Sequence, residues 1–138
     1  DLVSIHPVFN LYNYDWPIYT SYGPYPPAKF VHGQHGRVGE ALNSAVSPGV
    51  VISGARVNSS VVSPDVHVHS YTEIDTSVLL DGVEVGRNCR IQRAIIDKNV
   101  NVPDGTSIGF DREHDLARGF TVTESGLTVV GKGSVITS

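Results

Sequence analysis

Aliphatic residues recur in this chain at a period that neither a helix nor a flat strand produces. The series Val46, Ile52, Val57, Val62, Val68, Ile74, Leu79, Val85, Ile91, Ile96, Val102 and Ile108 advances in steps of 5 or 6. A helical face would advance by 3 and 4, and a half-buried strand by 2. Steps near 6 describe a coil of three short sides, each sending one aliphatic side chain inward. The larger period is 17. It relates Val51, Val68, Val85 and Val102; Val57, Ile74, Ile91 and Ile108; Val61, Val78 and Ile95; and Val66, Val83 and Val100. One coil is then three hexads less one residue. Successive coils stack ~4.8 Å apart, the interstrand spacing of a sheet, so each series is expected to form a continuous internal column. The corners repeat as well, at Ser47 to Val50, Ser63 to Val66, Leu80 to Val83 and Asp97 to Val100. Their Pro, Gly, Asn and Asp residues pre-set or tolerate turn dihedrals. The first coil is one residue short, around Gly54-Ala55-Arg56. A β-sandwich is the competing architecture, with turn signals every ~8–12 residues, but nothing in a sandwich holds columns in register at 17. The expected fold is all-β, a single-stranded parallel β-helix of about four coils over residues 42–109.

The flanks read differently. In residues 1–18, Val8, Leu11 and Tyr12 lie at helical spacing between Pro7 and Pro17, which predicts a short helix. Residues 19–41 carry Pro24, Pro26 and Pro27 and read as an extended linker. Its aromatics, Tyr19, Tyr22, Tyr25 and Phe30, are expected to pack against a neighbouring surface. Residues 110–118 are charged and predict one or two helical turns. Two apolar runs at 120–123 and 127–130 flank Glu124-Ser125-Gly126, a hairpin pattern that would cap the last coil. Residues 110–138 are therefore read as a C-terminal capping segment.

Composition narrows the function classes. A formal net charge of −4 argues against a nucleic-acid surface, which needs clustered Lys and Arg. No apolar run reaches the ~18 residues of a membrane span. Cys89 is the single cysteine, so no internal disulfide forms. With no signal sequence at its start, the chain is expected to be cytoplasmic. Its opening at Asp1 without Met reads as a fragment or processed product.

Few residues offer chemistry. His67 and His69 alternate with Val66 and Val68 and should face outward together. Two such histidines could ligate zinc given a third ligand. The residues one coil away are Glu84 and Gly86, not histidine, so surface histidines and no metal site are expected. A hexapeptide acyltransferase would use a histidine as general base beside a thioester cofactor, but such enzymes usually have more coils and an excursion loop. Arg56, Glu73 and Arg90 share one column and should stack as an alternating-charge ladder. Arg87, Arg90, Arg93 and Lys98 crowd one coil with only Asp97 in opposition. Such a patch on an acidic protein suits an anion such as a phosphate. Lys132 lies between Gly131 and Gly133. No catalytic constellation emerges.

Several segments together carry a family resemblance. They are Tyr12-Asn13 through Asp15-Trp16-Pro17-Ile18, Pro26-Pro27-Ala28-Lys29-Phe30-Val31, Leu42-Asn43-Ser44, Val51-Ile52-Ser53-Gly54, Val85-Gly86-Arg87, Ile96-Asp97-Lys98, and Ser125-Gly126-Leu127 to Lys132. Over nearly the whole chain these resemble the C-terminal region of bacterial glucose-1-phosphate adenylyltransferases, also called ADP-glucose pyrophosphorylases. The hexads alone would also suit other sugar nucleotidyltransferases or acyltransferases. The hexad pattern is similar to that of hexapeptide-repeat proteins, and the left hand of the coil is implied by that likeness, since a period fixes no hand. The resemblance implies an enzyme that joins ATP and glucose 1-phosphate into ADP-glucose and pyrophosphate for glycogen synthesis. It places catalysis and Mg²⁺ in a separate N-terminal domain, so no catalytic residue, cofactor or metal is assigned here and the chain alone should be inactive. It makes residues 1–41 an interdomain helix and linker. It makes the β-helix a partner of that catalytic domain, a support for a homotetramer and part of an allosteric site for phosphorylated or carboxylate metabolites. Lys98, after Ile96-Asp97, and Lys132, past Ser125-Gly126, match basic positions of that site, and Arg93 is a neighbour. Lysine supplies a point charge suited to phosphate, without arginine's bidentate fork.

Overall fold

The computed structural model describes residues 1–21 and 23–137. Sixteen short strands and one short helix make up its regular structure. The first coil holds β1 (Lys29–Val31), β2 (Glu40–Leu42) and β3 (Ala45–Val46). The second holds β4 (Val51–Ser53), β5 (Arg56–Asn58) and β6 (Val61–Val62). The third holds β7 (His67–Val68), β8 (Glu73–Asp75) and β9 (Val78–Leu79), and the fourth β10 (Glu84–Val85), β11 (Arg90–Gln92) and β12 (Ala94–Ile96). A last rung begins with β13 (Asn101–Val102) and β14 (Ser107–Ile108). The chain then leaves the coil through helix α1 (Arg112–Ala117) and strand β15 (Thr121–Val122), and returns as β16 (Thr128–Val130).

Each side of the coil is a sheet stacked along the axis. The orders are β1-β4-β7-β10-β13, β2-β5-β8-β11-β14 and β3-β6-β9-β12-β16-β15. All pairings are parallel except β15 with β16. The architecture is thus the β-solenoid expected from the 17-residue period. The coil begins earlier than residue 42, because β1 and β2 already pair with the second coil.

The register follows the 17-residue period over most of the coil and departs from it near the N-terminal end. For pairs that begin on β5 through β11, partners are 17 apart, as in Arg56↔Glu73 and Glu73↔Arg90. Pairs that begin on β2, β3 and β4 are 16 apart, at Glu40↔Arg56, Ala45↔Val61 and Val51↔His67, whereas β1 pairs with β4 at 22, as Lys29↔Val51. The missing residue therefore falls at the Ser53 to Arg56 corner, where the sequence places it. The same offset removes Val51 from the internal column. Val68 stacks on Ile52 instead, and both are fully buried. Val61, Val78 and Ile95 do stack, but on the outside of the third sheet, beside the buried Val62, Leu79 and Ile96. A 17-residue repeat reports register, and both faces of a strand obey it.

Backbone conformation explains the uneven steps. Nearly every corner contains a residue with positive φ. Where inward residues step by 5, these are Gly54, Ser59, Thr76 and Arg93 at φ 64°, 49°, 46° and 48°. A β-branched or bulky residue rarely takes this region, so Thr76 and Arg93 are held there by the coil. Buried hydroxyls tie these corners vertically. Ser60 Oγ donates to the Asn58 carbonyl (2.6 Å) and accepts from Ser77 N (3.1 Å). Ser77 Oγ repeats this with the Asp75 carbonyl (2.7 Å) and Ala94 N (3.2 Å). On another corner Thr72 Oγ1 donates to the Gly86 carbonyl (2.7 Å) and accepts from Cys89 N (3.1 Å). Cys89 is buried, and desolvation pushes its thiol above the ordinary value.

The N-terminal helix does not form. Residues 1–18 are turns and bends. Asn10 and Asn13 side chains accept the amides of Tyr12 (2.9 Å) and Asp15 (3.1 Å), local bonds that compete with a helical ladder. Asp1 accepts the amides of Val8 (3.0 Å) and Phe9 (2.9 Å). Tyr22 lies outside the described residues. Tyr19, Tyr25 and Phe30 are exposed rather than packed. The C-terminal expectation holds: α1 is N-capped by Asp111, whose side chain accepts from Glu113 N and His114 N, and β15 and β16 form the hairpin. β16 then supplies the third side of the last rung, pairing Ala94↔Thr128 and Ile96↔Val130.

Candidate functional site

Lys98 and Lys132 come together on adjacent strand ends of the third sheet. β16 runs parallel beside β12, so the residues after Ile96 and Val130 emerge side by side. One carboxylate fixes both. Asp97 accepts Lys98 N at 2.7 Å through Oδ1 and Lys132 N at 3.1 Å through Oδ2. Asp97 N in turn donates to the Val130 carbonyl (3.0 Å). Thirty-four residues of sequence separation are thereby closed to one hydrogen-bonded span. Both lysines are exposed. Lys98 Nζ stands 3.7 Å from Asp81 Oδ2, whereas Lys132 makes no ion pair among the described residues. The site is two exposed cations over a carboxylate scaffold, and it could hold an anionic group that displaces Asp81 from Lys98.

Arg93 is not part of this pair. It turns the corner before β12, at the opposite end of that strand, roughly 10 Å away along the ~3.3 Å rise of three residues. Its guanidinium donates to the Ser125 carbonyl in the hairpin loop, and its own carbonyl accepts Thr128 N (3.0 Å). The basic cluster is likewise dispersed. Arg87 and Arg93 occupy two different corners, Arg90 starts β11, and Lys98 follows β12. One coil is 17 residues, so neighbours in sequence point away from one another around the axis.

The charge column on the second sheet is in register but not fully bridged. Arg56 Nε meets Glu40 Oε1 at 2.5 Å. Glu73 makes no ion pair among the described residues, and Arg90 instead lies 4.3 Å over the Phe110 ring.

The first sheet holds the two histidines. Their rings stack, with centroids 4.2 Å apart and 27° between planes. Glu84 Oε1 lies 2.6 Å from His69 Nε2 and 3.5 Å from His67 Nδ1. Burial lowers the His67 imidazole from its ordinary value; Glu84 opposes this and His69 adds to it. Between the lowered folded value and 6.5 the unfolded chain binds more protons. The contribution is therefore present above about pH 6.5 and lost as pH falls through the folded value. His67→Gln is expected to flatten the dependence of the unfolding midpoint between about pH 7.5 and 5.5. Parallel pH series for the two proteins would not support this if their slopes agreed.

A family model described as GlmU-like, C-terminal hexapeptide matches residues 26–130. The chain belongs to this GlmU-like hexapeptide family. The matched span covers every rung of the solenoid and its closing strand β16. Similar full-length proteins include the glucose-1-phosphate adenylyltransferases of Bifidobacterium adolescentis, Frankia casuarinae and Arthrobacter sp. The first is 55% identical over 136 residues, covering 99% of this chain and 33% of that protein. The second is 57% identical over 136 residues, again 99% of this chain and 33% of the relative. The third is 57% identical over 136 residues, 99% of this chain and 29% of the relative. The GlmU-like domain described here thus spans about a third of the length of the curated relatives it matches.

No helix among the described residues is long and apolar enough to cross a membrane. They contain one convergent set of three metal-capable groups, and it is nitrogen-rich.

Proposed function

We propose that this chain is the regulatory and oligomerisation domain of a glucose-1-phosphate adenylyltransferase. The identity of more than half its residues, over 99% of its length, with proteins of that name carries the reading. In the complete enzyme an N-terminal domain converts ATP and glucose 1-phosphate to ADP-glucose and pyrophosphate with Mg²⁺, in the cytoplasm. This chain supplies no step of that chemistry. Its outward column Ala45, Val61, Val78, Ile95 and Val129 offers an apolar face against which a catalytic domain or another subunit can pack. The exposed Tyr12, Tyr14, Trp16 and Tyr19 are in keeping with a segment that packs on such a domain. The relatives do not favour an acyltransferase.

Within this reading, Lys98 and Lys132 bind a phosphorylated or carboxylate effector, and Asp97 positions them. Arg93 holds the hairpin loop that leads into β16 and acts through it. The experiment is an activation titration of the longer enzyme with sugar phosphates. Lys98→Ala and Lys132→Ala should each move the half-activating concentration up about tenfold, the equivalent of one ~1.4 kcal/mol contact, with the unactivated rate unchanged. The 138-residue chain alone should form no ADP-glucose. Activation curves that overlay those of the parent enzyme would remove the effector assignment. Turnover by the isolated chain would remove the regulatory one.

A further inference from the structure

The outer face of the first sheet carries donor atoms that an effector site on the third sheet does not use. His67 and His69 flank the fully buried Val68 on β7, and Glu84 opens the neighbouring strand β10 in register with His67. The strand that carries the histidines cannot shift: His67 N donates to the Val83 carbonyl (3.0 Å) and His69 N to the Val85 carbonyl (2.9 Å), and β4 pairs on its other side. Gly86, level with His69 by continuation of that register, places no side chain beside it. Glu84 reaches across that gap diagonally.

His67 Nδ1 and His69 Nε2 both point at Glu84 Oε1. The ligand atoms of the three residues all lie within 4.8 Å of one another. Ligand atoms ~2.0–2.2 Å from a tetrahedral zinc ion stand about 3.3–3.5 Å apart, so the ion fits among these three with side-chain rotation alone. We infer that His67, His69 and Glu84 form a binding site for a divalent transition metal of the zinc class, with one coordination position left to water.

The donor chemistry selects the ion. Two imidazoles and one carboxylate suit zinc and its first-row neighbours, whereas magnesium and calcium take oxygen sets. An imidazole must be neutral to bind metal. The side chains are 37%, 33% and 46% exposed, so an ion can enter without unfolding the coil. The reading needs no excursion from the fold and is independent of the adenylyltransferase assignment.

The test is a calorimetric titration of the chain with Zn²⁺ at about pH 7.5, above the ordinary imidazole value of ~6.5. His6, His32, His35 and His114 also offer nitrogen, so variants must locate the binding. One saturable high-affinity equivalent is expected. His69→Ala and Glu84→Gln should each weaken it by at least about 10–100-fold, the loss seen even for partners one shell further out. The His32→Ala/His35→Ala double variant should leave it unchanged. Glu84→Gln keeps the shape of a half-exposed side chain, so circular dichroism will show it folded. Imidazole NMR signals of His67 and His69 should shift together on adding one equivalent. Absence of saturable binding, or affinity that survives both site variants, or affinity lost in the His32/His35 variant instead, would overturn the site.

Discussion

Asp115→Ala is expected to lower the unfolding free energy by about 3–5 kcal/mol, the cost of stranding one member of a buried ion pair. Asp115 is 1% exposed, yet its carboxyl group faces a guanidinium. Its Oδ1 accepts from Arg118 Nη2 at 2.6 Å. Its Oδ2 accepts Gly109 N at 2.9 Å and Thr128 Oγ1 at 3.0 Å. The carboxylate thus joins three pieces of chain: the end of the last rung, the helix and the returning strand β16. Arg118 is enclosed as well, its side chain 7% exposed, with its guanidinium 4.8 Å over the Phe120 ring. Its Nε already lacks a partner among the described residues. Truncation at 115 leaves that guanidinium without a counter-charge and two further donors without an acceptor. Asp115→Asn keeps the shape and removes the charge, so it should fall between parent and alanine variant. Denaturant titration followed by circular dichroism measures all three. A loss below about 1 kcal/mol for the alanine variant would mean that water or a rearranged Arg118 replaces the carboxylate at little cost.

Leu79→Ala should cost about 4 kcal/mol, toward the upper end of the range for buried leucines. Leu79 is fully buried on β9, with Val62 below and Ile96 above in register. The size of a cavity's cost depends on how far its walls can collapse. Here the walls are rungs whose spacing is set by backbone hydrogen bonds: Ser63 N to the Leu79 carbonyl (2.9 Å) and Leu80 N to the Ile96 carbonyl (2.9 Å) lie beside it. The rungs cannot close on the void without breaking their own ladder. Val78→Ala, one residue earlier on the outward face, should stay within about 1 kcal/mol. Equal losses for the two variants would contradict the assigned direction of the strand.

Both results bear on what a repeat can say. The inward series from Ile52 to Ile108 was legible because each member is a single aliphatic residue per side, and burial leaves that pattern no freedom. The short corner near Gly54 was legible for the same reason, as a step of 5 between Ile52 and Val57 where later coils take 6. Direction was not legible for Val61, Val78 and Ile95. These obey the same 17-residue rule on the outer face, where apolar residues are unusual. The N-terminal helix failed because asparagine side chains outcompete a weak apolar periodicity. At the candidate site, Ile96-Asp97-Lys98 and the segment reaching Lys132 brought the two lysines into view, and the structure places them on neighbouring strand ends. Asp97 carried no signal of its own, since its part depends on β16 returning beside β12. Arg93 was grouped with Lys98 through closeness in sequence, which a triangular coil turns into separation. Beside His67 and His69, the position 17 residues on from His67 holds the carboxylate of Glu84 in place of a third histidine, and only the register shows how near it lies.

The returning hairpin has a consequence for growth of the particle. β15 runs antiparallel along the rim of the third sheet. On the second sheet, the free Ser107 carbonyl and Gly109 amide are occupied by Arg118 and Asp115. A parallel strand arriving at that end therefore finds the wrong polarity on one side and spent hydrogen-bonding groups on another. Edge strands are the usual seed of open-ended association, and a body with two receptive ends makes fibres. This one is blunt on two of the three sides of its C-terminal end, which disfavours axial growth there.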